Sequence, residues 1–144
     1  MATENEHLAV ANRTQKTIGH LIPELSINSP WIATAAFYKA LHIVEAVFFN
    51  DSDIRHTSDH GGREKRLKRI RKYDNISRHY LPLFRASIVA RYLSGHKSFD
   101  KYLSPNEVVE KLLKHHLHQV EQSAKRFLSN RDSLDSINDC ANLP

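Results

Sequence analysis

The sequence predicts an all-α fold, a four- to five-helix up-and-down bundle. Three observations predict it. Apolar residues recur at spacings of three and four along four long segments. No stretch alternates convincingly in the manner of a strand. The 144 residues hold only 4 Gly and 5 Pro, too few for a loop-rich or β-sandwich architecture. A chain of this length forms one domain and buries roughly 70% of its unfolded surface. The expected domain spans 1–128, with its core at about 30–128. The Ser-, Asn- and Asp-rich stretch 129–144 is expected to be a flexible tail.

Each helix has its own signals. In the first, Leu8, Ala11, Ile18 and Ile22 share a line with Gln15, and Pro23 ends or bends it. Ser29-Pro30 reads as N-cap and first position of the second, which runs to about Phe49 and is apolar nearly all round. A helix of that kind sits mid-bundle. Asn50-Asp-Ser-Asp53 closes it, and 54–62 reads as a polar loop. From Arg63 the chain turns helical and basic, with an interruption at Tyr73-Asp-Asn75. The third main helix carries Ile76, Tyr80, Leu83, Phe84, Ser87, Ile88 and Arg91. Pro82 predicts a kink or a late start there, and Ser94-Gly95 a glycine stop. Ser104-Pro-Asn-Glu107 is a capping box with Pro at the first helical position. The fourth helix places Val109, Leu112, Leu113, His116, Val120, Ala124, Phe127 and Leu128 on its inner stripe.

Composition narrows the function classes. No apolar run approaches the ~20 residues that span a bilayer, and the acidic, polar N-terminus is unlike a secretory signal. A lone Cys140 excludes an intramolecular disulfide. These features predict a cytoplasmic protein without membrane contact. A net charge of +5 and a pI near 9.4 favour polyanionic partners. A glycine-rich phosphate loop, a Gly-x-Ser-x-Gly elbow and a Cys-x-x-Cys pair are all missing, which argues against most nucleotide-hydrolysing, esterase and redox chemistry.

Three constellations remain. Thr34, Tyr38, His42 and Glu45 share one face of the second helix, a pocket wall or a paired polar line that fixes register. Within it His42 and Glu45 are spaced to hydrogen-bond, which would raise the pKa of the imidazole. Between Arg63 and Arg78 eight cations (Arg63, Lys65, Arg66, Lys68, Arg69, Arg71, Lys72, Arg78) face two acids, Glu64 and Asp74. Helical spacing puts Lys65, Arg69 and Lys72 on one side with Arg66 beside them, a surface for a nucleic-acid backbone or a solvated face. The 10 histidines include His56-x3-His60 and His115-His-Leu-His118. Without a Cys pair or His-Glu-x-x-His these read as solvated helix histidines, so no metal and no cofactor is expected.

Ala36-Phe-Tyr-x-Ala-Leu-His-x-x-Glu-Ala46, His60-x-x-Arg63, Tyr80-x-x-Leu83 and Ser87-x-x-x-Arg91-Tyr92 together resemble a small stand-alone prokaryotic branch of the HEPN superfamily (higher eukaryotes and prokaryotes nucleotide-binding). The resemblance covers roughly residues 30 to 128. It implies a bundle that commonly forms a homodimer, engages RNA and, in many members, cleaves it without metal in toxin–antitoxin, phage-defence or CRISPR-linked systems. Other members only bind a nucleotide, a nucleic acid or a protein partner such as an antitoxin, and that non-catalytic role is the alternative.

Active members carry Arg-x(4–6)-His. Histidine moves protons near neutral pH, and arginine offers a planar charged fork to phosphate. Three pairs fit: Arg13/His20, Arg55/His60 and Arg91/His96. The first lies mid-helix. We expect the site at the His60/Arg63 corner, with Arg55 as the associated arginine and His60 transferring protons. Arg91 and His96 are the second choice, with Arg91 alternatively anchored on a carboxylate such as Glu45. Lys65, Arg66, Arg69 and Lys72 would track the RNA, and Tyr38, His42 and Glu45 would wall the pocket.

Overall fold

Thr3 caps α1 (Glu4–Leu21) by accepting from the Glu6 N–H in the computed structural model, which describes all 144 residues. A single 3-10 turn at Ile22–Glu24, carrying Pro23, leads into α2 (Leu25–Phe49). Asn28 closes this turn, its Nδ2 donating to the Leu21 carbonyl at 3.0 Å. The two helices are antiparallel: His7 meets His42, Gln15 meets Lys39, and Glu4 meets Asn50. α3 (His60–Arg69) is short and lies in the connection to α4 (Asp74–Tyr92). Phe37 packs on Tyr80 and Phe84, and Phe48 on Tyr73, so α4 runs antiparallel to α2. α5 covers 105–124 and returns along α4, with Asn75 bonded to Ser123 and His79 meeting His116. The order is up, down, up, down, with no strand.

α2 touches α1, α4 and α5, as its all-round apolarity predicts. One 18-residue window between Glu4 and Phe49 has a mean hydropathy of 1.4 and is long and apolar enough to cross a membrane, contrary to expectation. In the bundle 72% of that window is buried. Of the aromatic residues on this helix, Phe37 and Phe48 lie in the core, while Trp31 stays exposed.

The capping box forms: the Ser104 hydroxyl accepts from the Glu107 N–H, and the Glu107 carboxylate from the Ser104 N–H. Other boundaries differ from the sequence reading. Ser29-Pro30 lies inside α2, because Pro30 falls early in the helix and the i−4 carbonyl it leaves unbonded belongs to solvent-exposed Ser26. Pro82 likewise sits within a continuous α4, opposite exposed Arg78. α4 ends with Leu93, not a glycine, in the left-handed region at φ 62°, and Gly95 follows at φ 89°.

Residues 129–144, read from sequence as a flexible tail, pack across α1 and α5. Leu134, Ile137 and Cys140 are buried. The Glu4 carboxylate accepts from the N–H groups of Ser129 and Asn130 at 2.9 and 2.7 Å, and Gln15 Nε2 donates to the Ser136 carbonyl at 2.9 Å. A Cβ on Gly19 would stand 3.2 Å from Ala141, so glycine is what admits this strap. The polar residues that suggested disorder are spent on bonding it down.

Candidate functional site

The Asp59 side chain caps α3 by accepting from the Gly62 N–H at 2.6 Å, so the helix starts at His60, three residues before the expected start. One turn separates His60 from Arg63, and their side chains meet. Arg63 Nη1 donates to His60 Nδ1 at 3.1 Å. A guanidinium has no lone pair to offer, so Nδ1 must be bare and the ring proton sits on Nε2. The ring of His60 packs between Phe37 and Phe84, at 5.6 and 5.4 Å. Burial, then the charges of Arg63 and Arg91, lower its pKa, against a smaller opposing effect of Asp59. His60 is therefore neutral at pH 7, half-buried, and offers a donor at Nε2. To accept a proton the ring would have to use Nδ1, which would break the Arg63 contact.

Arg63 itself is buried. Its Nη2 lies 3.6 Å from Glu45, which also accepts from the Thr57 hydroxyl and, at 3.2 Å, from the Thr57 N–H. Glu45 thus ties the loop before α3 and the first turn of α3 to the C-terminal end of α2. Tyr80 of α4 comes up beside the same guanidinium, without hydrogen-bonding geometry, and burial pushes its phenol up to about 12. Glu45 Oε2, Arg63 Nε and the Tyr80 hydroxyl are all buried without partners. Such a concentration of unmet polar atoms marks a place where stability is given up.

His42 does not bond Glu45. It pairs with His7 of α1, Nδ1 to Nδ1 at 3.1 Å. Only one of those nitrogens carries the hydrogen, so one ring presents a bare Nε2 and the other an Nε2–H. Burial lowers both pKa values, the reverse of the shift expected for His42. The charges of Glu45 and Arg63 are felt at both rings, which places the pair at the edge of the same polar cluster. His7 belongs to this site and was not legible in the sequence.

The other expected residues scatter. Arg55 takes a left-handed backbone (φ 62°), donates to the Phe49 carbonyl at 3.0 Å and covers the Phe49 ring, so it caps α2 rather than serving His60. Arg91 bonds the Ser87 carbonyl and hydroxyl, not Glu45, and the His96 ring packs at a tilt against Tyr102, so that pair does not form. The arginine charges His60 feels are those of Arg63 and Arg91, a mixture of the two motif choices. Tyr38 leaves the pocket wall: with Thr34 and Trp31 it lines an outer groove against Thr14 and Thr17 of α1.

Lys65, Arg66 and Arg69 stand exposed on α3 and, with Gly62 and Ile70, line a groove of about 450 Å³. Lys68 pairs with Glu64 at 2.7 Å. Lys72 is separated from the others because the helix stops at Arg69 and Ile70 is extended; it turns to Asp51 at 3.4 Å and over the Tyr73 ring. No family model, no curated protein and no solved structure matches this chain.

Proposed function

We propose that the chain engages RNA in the cytoplasm along the exposed face of α3, as the HEPN-like motifs imply. Lys65, Arg66 and Arg69 contact successive phosphates by charge. The His60 Nε2–H, beside the positive fields of Arg63 and Arg91, donates to a phosphate oxygen. Buried Glu45 and Arg63 hold the first turn of α3 in place. The observation that carries this reading is the row Lys65, Arg66 and Arg69, three exposed cations with no acidic partner that line one groove on the solvent face of α3. Their mutual repulsion costs folding energy that a polyanion offsets by releasing counterions. A homodimer, as the resemblance implies, would double the basic surface.

One observation favours a further step, metal-independent cleavage: the His7–His42 pair holds one bare Nε2 at neutral pH. That nitrogen takes the proton of a ribose 2′-hydroxyl, and O2′ attacks the adjacent phosphorus. The P–O5′ bond breaks, the leaving oxygen takes a proton from solvent, and a 2′,3′-cyclic phosphate remains. Incubation with total RNA in EDTA separates the readings. A shifted band of intact RNA supports engagement alone. Fragments ending in cyclic phosphate, lost in His42→Ala, support cleavage. RNA neither shifted nor cut contradicts both and leaves a protein-binding module, such as an antitoxin partner, as the role.

A further inference from the structure

Away from this cluster three histidines converge, two of them, His115 and His116, from the run that the sequence suggested was solvated. His79 of α4 is buried, and its Nδ1 lies 3.1 Å from Nδ1 of His116. His115 crosses the His79 ring edge-on at 5.2 Å and lies 4.7 Å from the His116 ring, centroid to centroid. One nitrogen from each of the three rings lies within 4.8 Å of the other two. From this geometry we infer a transition-metal site of three imidazoles, His79, His115 and His116, suited to zinc or another borderline divalent ion.

The backbone explains how consecutive residues reach one point. On an α-helix, neighbours in sequence do not face the same partner. Here Val108–Leu117 is a π-helix, which winds less per residue and swings His115 and His116 toward the same side of α4. π-Segments are rare and recur at functional sites. A four-coordinate ion with bonds of about 2.0–2.1 Å to nitrogen sets its ligand atoms about 3.3 Å apart. The His79–His116 separation already matches, and His115, exposed and free to change rotamer, closes the third position.

The chemistry of the rings agrees. Imidazole suits zinc, copper, nickel and iron better than magnesium or calcium. Burial and the crowding of the three rings hold His116 down at about 4 and lower His79, so both are neutral and able to ligate at pH 7. On binding, the hydrogen now shared between the two Nδ1 atoms is replaced by the ion, and each ring carries its hydrogen on Nε2. Exposed His115 leaves the fourth position facing solvent, where water or an exogenous anion completes the shell. The site bridges α4 and α5, so the ion would clamp the two helices.

The test uses tag-free full-length protein, stripped with chelator and dialysed. Zinc is titrated by calorimetry, and cobalt by visible absorption. We expect one ion per chain with micromolar affinity, and the intense visible bands of four-coordinate cobalt. His115→Ala removes an exposed side chain and should weaken zinc binding at least tenfold while circular dichroism stays unchanged. His115→Ala/His116→Ala should abolish the cobalt bands. His20→Ala, a distant exposed histidine, should bind as the unaltered chain does. An unaltered chain that takes up no stoichiometric zinc overturns the site, as does a His115→Ala protein with unchanged affinity and an unchanged cobalt spectrum.

Discussion

Arg63 Nη1 donates to His60 Nδ1 at 3.1 Å while Nη2 of the same guanidinium lies 3.6 Å from Glu45. One buried side chain therefore sets both the tautomer of a half-exposed imidazole and the seat of α3 on α2. Residue 63 is a positioning residue in this arrangement, and His60 is the group that would donate to phosphate in the function proposed above.

That arrangement predicts an asymmetry. Arg63→Met strips a buried carboxylate of its cation and should cost about 3–5 kcal/mol, whereas Arg63→Met/Glu45→Leu should recover only part of it, because Thr57 then loses its acceptor. Urea unfolding followed by circular dichroism measures both. A single variant that costs less than about 1 kcal/mol would show that the pair is not structurally coupled.

The buried ammonium of Lys39 makes a second prediction. It donates to Gln15, to Glu121 and, at 2.8 Å, to the Asp135 carbonyl, joining α1, α2, α5 and the C-terminal strap at one point. Glu121 in turn accepts from the Ile137 N–H at 3.0 Å. Lys39→Met should lower stability by about 3–5 kcal/mol and loosen the strap. Limited proteolysis should then cut within 129–144 well before the rest of the chain; equal cutting of variant and parent would refute the clamp.

Acid should destabilise the fold through its histidines. His7, His42, His60, His79 and His116 all have lowered pKa values, chiefly from burial, His116 to about 4. The unfolded chain, with histidines near 6.5, binds more protons below that pH, so stability present above about 6.5 is lost as pH falls toward 4. Urea midpoints at pH 7.5, 5.5 and 4.5 should decline in that order. A midpoint that rises on acidification would mean that these rings are charged in the folded state.

Much of the fold was legible because it depends on local chemistry. The all-round apolarity of 31–49 and the capping box at Ser104 are contiguous patterns that appear where expected; the cations from Arg63 onward are helical as read, but the helix starts at His60 and stops at Arg69, which separates Lys72 from the row. What could not be read depends on contacts between distant segments. A cation such as Lys39 within an all-round apolar helix, with Gln15 in the α1 stripe and Glu121 beside Val120, was the available signal for a buried network. Nothing local pairs His7 with His42, or His79 with His116, because helix packing alone brings them together. Arg55 matched the motif spacing, but its left-handed backbone sends it to the end of α2.

In the proposed function α3 is a face that binds a nucleic-acid backbone. Its direct test is the affinity of a fluorescent single-stranded RNA across a salt series, for the parent and for Lys65→Ala/Arg66→Ala/Arg69→Ala. Log affinity should fall linearly with log salt in the parent, and removing three phosphate contacts should weaken binding and flatten the slope by about 2. Binding that ignores salt, or a triple variant with the parent's affinity and slope, would contradict it.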